Sequence, residues 1–240
     1  MTRDRQTMRV LSLIIGGMLI LMSQNVSAAA TVAGRVILAT GKATAVLAGK
    51  TDRVLKRGSN VFEGDTVKTD DKSYLKIKYT DGGFMMIRPS SQIVIEKYVP
   101  LEKGEGSQIT NLVKGGMRVV TGAIGKANHD NVMVKSTPAT IGIRGTDWTM
   151  RVCAADCVDL AQLGVPVPSN GLYTGVNFGS IAIQNQFGIL ITSQGQYAYV
   201  KGPNSKPTKL PNAPAILAVD AIPDPTKSNS QDFIKSSTCR

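Results

Sequence analysis

Residues 58–96 read GSNVFEGDTVKTDDKSYLKIKYTDGGFMMIRPSSQIVIE, and the fold class follows from them. Over residues 74–80, Leu75, Ile77 and Tyr79 alternate with Lys76, Lys78 and Thr80, the two-residue period of a half-buried strand. Asp81-Gly82 follows, a dipeptide that readily supplies two positive φ angles to a tight hairpin turn. The chain returns through Phe84, Met85, Met86 and Ile87, a short apolar run expected to be buried on both faces. Arg88-Pro89-Ser90-Ser91 makes the next corner, because proline fixes φ and donates no ladder hydrogen bond. Residues 92–96 alternate again, with Ile93 and Ile95 inward. Two corners and three strands in this short span imply an all-β domain.

The same grammar extends in both directions. Residues 34–38 and 43–47 flank a turn at Thr40-Gly41-Lys42, and residues 53–55 form a shorter strand. Residues 101–106 form a polar loop. Residues 108–113 and 117–121 form strands joined at Gly115-Gly116; residues 123–131 are irregular, and 132–134 resume extended structure. In residues 137–153, Ile141 and Ile143 alternate with Gly142; past Gly145, Trp148, Met150 and Val152 alternate with Thr149 and Arg151. Glycine weakens a strand, so Gly145 is read as a bulge or close backbone approach, and Trp148 as a core plug. Further strands are expected at 172–176, 180–184, 188–191 and 196–200. The sum is a compact roll or solenoid-like sandwich of many short, mostly antiparallel strands.

The ends are of different character. Arg3, Arg5 and Arg9 precede the apolar run 10–22, and Val26-Ser27-Ala28 supplies small residues. This is the pattern of a secretory signal peptide, residues 1–28, cut after Ala28 with Ala29 or Ala30 as neighbouring alternatives. Thirteen apolar residues fall short of the roughly 17–25 that a membrane helix needs, so no integral span is expected after processing. Six of the eleven prolines lie between Pro203 and Pro225, marking residues 203–240 as a Pro-rich, partly disordered tail. Its one apolar cluster, residues 215–219, is read as docking back on the body, with a partner peptide as the alternative. The β domain then spans 29–202.

The formal charge of +11 loses three arginines and one aspartate with the leader, 11 − 3 + 1 = +9. Such a surface attracts anionic partners in general. The lysines are spread over the strands without the interleaved aromatic residues of a nucleic-acid platform, so no nucleic acid is expected. Three cysteines remain. In an oxidising compartment Cys153 and Cys157 pair across the intervening loop; a zinc site is a poorer alternative with one histidine in the chain. Cys239 is left over, free or available for pairing between chains.

Gly64-Asp65 with Thr69, then Asp81-Gly82, then Pro89-Ser90-Ser91, and finally Thr137-Pro138 through Arg144-Gly145-Thr146-Asp147-Trp148 resemble, in order and spacing, the FecR domain family. The resemblance covers about residues 34–150. It implies an all-β extracytoplasmic bacterial module. Its best-known members resemble transmembrane sensors whose cytoplasmic part controls a sigma factor. Only nine residues precede the apolar run here, so the expectation is the stand-alone exported type, periplasmic or secreted.

Asp65 and Thr69 suit hydrogen bonds to backbone groups at a strand entry. Arg144, between apolar neighbours, is expected to pair with Asp65, Asp81 or Asp147 as an internal fastener, or alternatively to receive an anion. His129, the sole histidine, lies in a polar loop without a nucleophile elbow. No catalytic residue, metal or cofactor is expected. The function expected is non-enzymatic binding of an envelope protein, with an acidic glycan or cell-wall polymer as the alternative ligand.

Overall fold

The structure, a computed structural model, describes residues 30–154, 157 and 169–218. The expected signal peptide, residues 158–168, Cys239 and the residues beyond 218 lie outside the described residues.

Fifteen strands follow in chain order: β1 (Val32–Thr40), β2 (Ala43–Leu47), β3 (Arg53–Val54), β4 (Asn60–Phe62), β5 (Asp65–Thr69), β6 (Tyr74–Tyr79), β7 (Phe84–Ile87), β8 (Gln92–Val99), β9 (Ser107–Val120), β10 (Val132–Lys135), β11 (Thr140–Cys153), β12 (Gly171–Asn185), β13 (Gly188–Ser193), β14 (Tyr197–Val200) and β15 (Thr208–Leu210). All pairings are antiparallel except β9 with β10. The expected all-β, mostly antiparallel chain is observed, as one large sheet that does not close.

Three long strands give the sheet two wings. The C-terminal half of β9 pairs with β7 and with β11 from Asp147 onward, and β11 there pairs with the first half of β12. The N-terminal half of β9 pairs with β8 and β10, while residues 140–144 of β11 pair with the second half of β12. The first wing therefore runs β15-β14-β12-β11-β9-β7-β6-β1-β4, and the second β13-β12-β11-β10-β9-β8-β5-β2-β3. Inward side chains of both enter one core: Leu75, Ile77, Met85, Met117 and Trp148 from the first, Ile93, Ile95, Val134, Ile141 and Ile183 from the second.

Crossing between wings needs kinks within strands. Gly145 (φ 61) and Gly179 (φ 78) stand at the register shifts of β11 and β12. They also approach each other, because a Cβ on Gly179 would collide with the Gly145 carbonyl oxygen. Both the left-handed φ and this approach demand glycine.

Several local expectations are corrected. Asp81 does not take a positive φ; only Gly82 does (φ 82), and Tyr79 N–H donates to the Gly83 carbonyl at 2.9 Å. The corner is a three-residue loop with its left-handed residue at Gly82, and Asp81 uses its carboxylate to accept from Gly83 N–H. Gly115-Gly116 is not a connection, since β9 runs through it, and Ser91 Oγ accepts from Gly116 N–H at 2.9 Å. Residues 172–184 form one strand, held continuous by pairing on both sides. Residues 123–131 are not irregular: Ala123–Ala127 is a short helix, started by the Asp81 carboxylate accepting from Ile124 N–H. Past residue 202, β15 pairs with β14, and the described part of the apolar cluster docks on the body as expected, in the helical turn Ala215–Ala218 with Ile216 and Leu217 buried.

Candidate protein-docking surface

The motif residues are placed as joints spread through the fold. Gly64 (φ 86) turns the chain into β5. Asp65, fully buried, accepts from Arg53 Nη2 at 2.6 Å and from Phe62 N–H at 2.8 Å. Thr69 donates to the Arg88 carbonyl at 2.6 Å and accepts from Ser91 N–H, which ties the β5 end to the Pro89 corner. Pro138 is buried, its carbonyl accepting from Asn185 Nδ2. Thr146 and Thr121 exchange backbone and hydroxyl bonds across β9 and β11. Trp148 is fully buried in the core. Cys153 and Cys157 form a disulfide, Cα–Cα 5.5 Å.

Arg144 does not fasten the interior. It is exposed, and no acid pairs with it among the described residues. Its three expected partners are taken: Asp65 by Arg53, Asp147 by Arg118 at 2.5–2.8 Å, and Asp81 by backbone N–H groups. Alternation along β11 accounts for it: Ile141 and Ile143 are buried, so Arg144 shares the outer face with Gly142. His129 is likewise exposed, on the turn His129–Asn131. Among the described residues no group of three His, Cys, Asp or Glu could hold a metal ion.

A different set of residues is brought together. On the second wing, register aligns Ile191 of β13 with Ala182 of β12, Ala182 with Gly142 of β11, Gly142 with Met133 of β10, and Met133 with Ile109 of β9. Ala182, Gly142, Met133 and Ile109 each lie between buried neighbours on their own strands (Ile181 and Ile183, Ile141 and Ile143, Val132 and Val134, Gln108 and Thr110), and Ile191 lies between half-buried Leu190 and buried Thr192. Strand alternation therefore turns this row to the outer face. Ile189 and Ile191 are 59% and 51% exposed, and Phe178 and Phe187, near the two ends of the β12–β13 hairpin, are 63% and 48% exposed. Large exposed apolar side chains such as Ile189 and Ile191, side by side on one face of β13, are the informative exception to ordinary burial.

Polar groups frame the row. Below it, Lys135 Nζ meets Glu96 Oε2 at 2.7 Å, and Asn111 Nδ2 donates to Glu96 Oε1 at 3.1 Å. Beyond its other side stands Arg144. The sequence did not mark this row, because β13, β12 and β10 carry apolar residues in both phases, as in Ile189-Leu190-Ile191 and Val132-Met133-Val134. Such runs read as strands buried on both faces, and only the fold shows one face that no described segment covers.

The outer face of the first wing is finished differently. Tyr173 and Tyr199 lie 4.8 Å apart between ring centroids, and with Tyr197 they pack against Leu210, Ile216, Leu217 and the disulfide. Buried Arg88 donates through Nη2 to the Leu217 carbonyl at 3.1 Å and to Thr149 Oγ1 at 3.3 Å. Residues 203–218 thus act as a strap over that face. Burial, with the neighbouring Tyr199, pushes the Tyr173 hydroxyl up to about 12. In the main core, burial raises Tyr79 further, and Tyr98 is raised for the same reason while its hydroxyl bonds Thr80 and Asp81 N–H. Farther along the first wing, Lys76 and Lys78 stand over the Phe84 ring at 5.4 and 5.8 Å.

Residues 65–158 match the family model described as FecR protein. The match begins at Asp65, later than the 34 read from the motifs, and ends just past Cys157. Two crystal structures of a protein from Parabacteroides distasonis ATCC 8503, provisionally described as an anti-sigma factor, resemble this chain at 9% identity and a TM-score of 0.46. The likeness covers 62% of this chain and 60% of theirs, so this chain spans less than two thirds of their length. No curated protein matches.

Proposed function

We propose that this chain, which carries a FecR domain at residues 65–158, is a non-enzymatic regulatory module of the bacterial envelope that works by holding another protein against the outer face of its second wing. The observation that carries this reading is the registered row Ile191–Ala182–Gly142–Met133–Ile109 with Ile189 beside it. An apolar centre with a polar rim is the anatomy of a protein interface. The site is the periplasm or the exterior, supported by the leader-like N-terminus and by the Cys153–Cys157 disulfide, which persists in oxidising compartments.

The test is in-cell photocrosslinking with a reactive side chain at Ile191, at Met133, or at Phe84 on the first wing. The expected outcome is one shared adduct at Ile191 and Met133, lost when the other position of the pair is changed to Asp. Adducts that favour Phe84, or that survive those changes, would reject the surface.

The second reading, an acidic glycan or cell-wall polymer, is favoured by Arg35, Lys76 and Lys78 around Phe84 on the first wing. Binding of that kind fades steeply with salt, whereas a contact with an apolar centre fades less.

A further inference from the structure

The docking row is not flat, and its relief selects the shape of what fits. Gly142 contributes no side chain, and a Cβ built on it would meet nothing within 4 Å. Ala182 beside it contributes one carbon. The flanking strands carry long side chains, Ile189 and Ile191 on β13 and Met133 on β10. The outer face therefore dips to a trough at Gly142 and Ala182 on β11 and β12, between walls on β13 and β10, with Thr140 and Gln184 at one end and Ser180 and Arg144 at the other. Those walls are three strand spacings apart, about 14 Å. An α-helix with side chains is about 10–12 Å across. Along its axis the trough runs from Thr140 to Arg144, about 13 Å at the strand rise, which spans about nine residues of helix.

Resting on the docking reading above, we propose that the occupant is an amphipathic helix of a partner protein, laid along β11 with its apolar stripe on Gly142 and Ala182 and carboxylates at the end that meets Arg144. The mode is an apolar helix face in a hydrophobic groove. Charge complementarity sets the rim: Arg144 is exposed with no acid paired to it among the described residues, and His129 stands by the same end, with its Nε2 3.9 Å from the Cβ position of Gly145. The cation at the opposite end, Lys135, is already paired with Glu96. A strand added to the β13 edge would reach Ile189 and Ile191 but leave Met133 and the trough floor uncovered, so the relief favours the helix.

The test uses methyl NMR of the chain as purified from cells, read at Ile109, Met133, Ile189 and Ile191. Three probes are titrated: an 18-residue Leu/Ala amphipathic helix with Glu at one end, the same helix with Lys for Glu, and an alternating Thr/Val peptide that favours extended structure. The Glu helix is expected to shift the methyls of both walls, the Lys helix to bind at least tenfold more weakly, and Gly142→Leu to weaken the Glu helix at least tenfold. Should Gly142→Leu misfold, Ile191→Glu is to give the same loss. Shifts by the extended peptide alone, confined to Ile189 and Ile191, would overturn the helix and leave the docking surface standing. Equal binding of the Glu and Lys helices, or no shift with any probe, also overturns it. The crosslinks at Ile191 and Met133 judge the surface separately.

Discussion

The outer faces of the two wings share the long strands β9, β11 and β12 and end in opposite conditions. On the first wing, Tyr173, Tyr197 and Tyr199 lie beneath Leu210, Ile216 and Leu217, brought there by the returning chain and held by Arg88. On the second, Ile189, Ile191 and Met133 stand over a floor of Gly142 and Ala182, and no described segment crosses them. Apolar outer faces thus occur on both wings, but among the described residues the chain covers only the first. The difference separates a face closed by the chain's own strap from the face proposed above for docking.

The sharpest way to break this contrast is a pair of substitutions on neighbouring strands. Ile183→Asp places a carboxylate in the core and is expected to cost at least about 4 kcal/mol, since an unpaired buried charge has no compensation. Ile191→Asp, on the outer face, is expected to stay within about 0.5 kcal/mol. Urea denaturation of both decides it; a large loss in Ile191→Asp would mean that its face is covered.

Gly179→Val tests whether the kink joins the wings. A β-branched residue at φ 78 facing the Gly145 carbonyl is expected to cost about 3 kcal/mol from backbone strain and overpacking, measured as a lowered Tm. Leu217→Ala probes the covered face. The expected loss is about 2 kcal/mol, with tryptic cleavage at Lys201 and Lys209 appearing while the second wing stays protected.

Alkaline titration sharpens the same point. The folded state holds Tyr173 neutral, with its hydroxyl raised from 10.0 to about 12. Its contribution to stability is therefore complete below pH 10 and fades as the pH rises towards 12. Thermal melts over that range should fall less in Tyr173→Phe than in the parent chain. The smallest effect is expected for Lys135→Ala, whose partly exposed pair with Glu96 contributes below about 1 kcal/mol by double-mutant cycle.

What could be read in the linear chain was whatever depends on near neighbours. The alternation of Leu75, Ile77 and Tyr79 named β6, and Gly145 named its own bulge, because both signals lie within a few residues. Arg144 was misplaced for the complementary reason. Its apolar neighbours Ile141 and Ile143 suggested a buried place, whereas alternation puts it on the outer face with Gly142, and whether that face is covered depends on strands far along the chain. The docking row was hidden in the same way: five residues from five strands become adjacent only through pairing. Gly115-Gly116 looked like a turn because two glycines usually mark one, yet Ser91 inserts its hydroxyl there and keeps β9 continuous.

The bond from Arg88 to the Leu217 carbonyl closes a separation of 129 residues. Contacts so distant along the chain carry a high loop-closure cost and form late. A polypeptide that emerges from its amino end would hold Arg88 and the tyrosine face open until residue 217 has followed. Closure of the strap over the first wing therefore comes after synthesis of every strand beneath it.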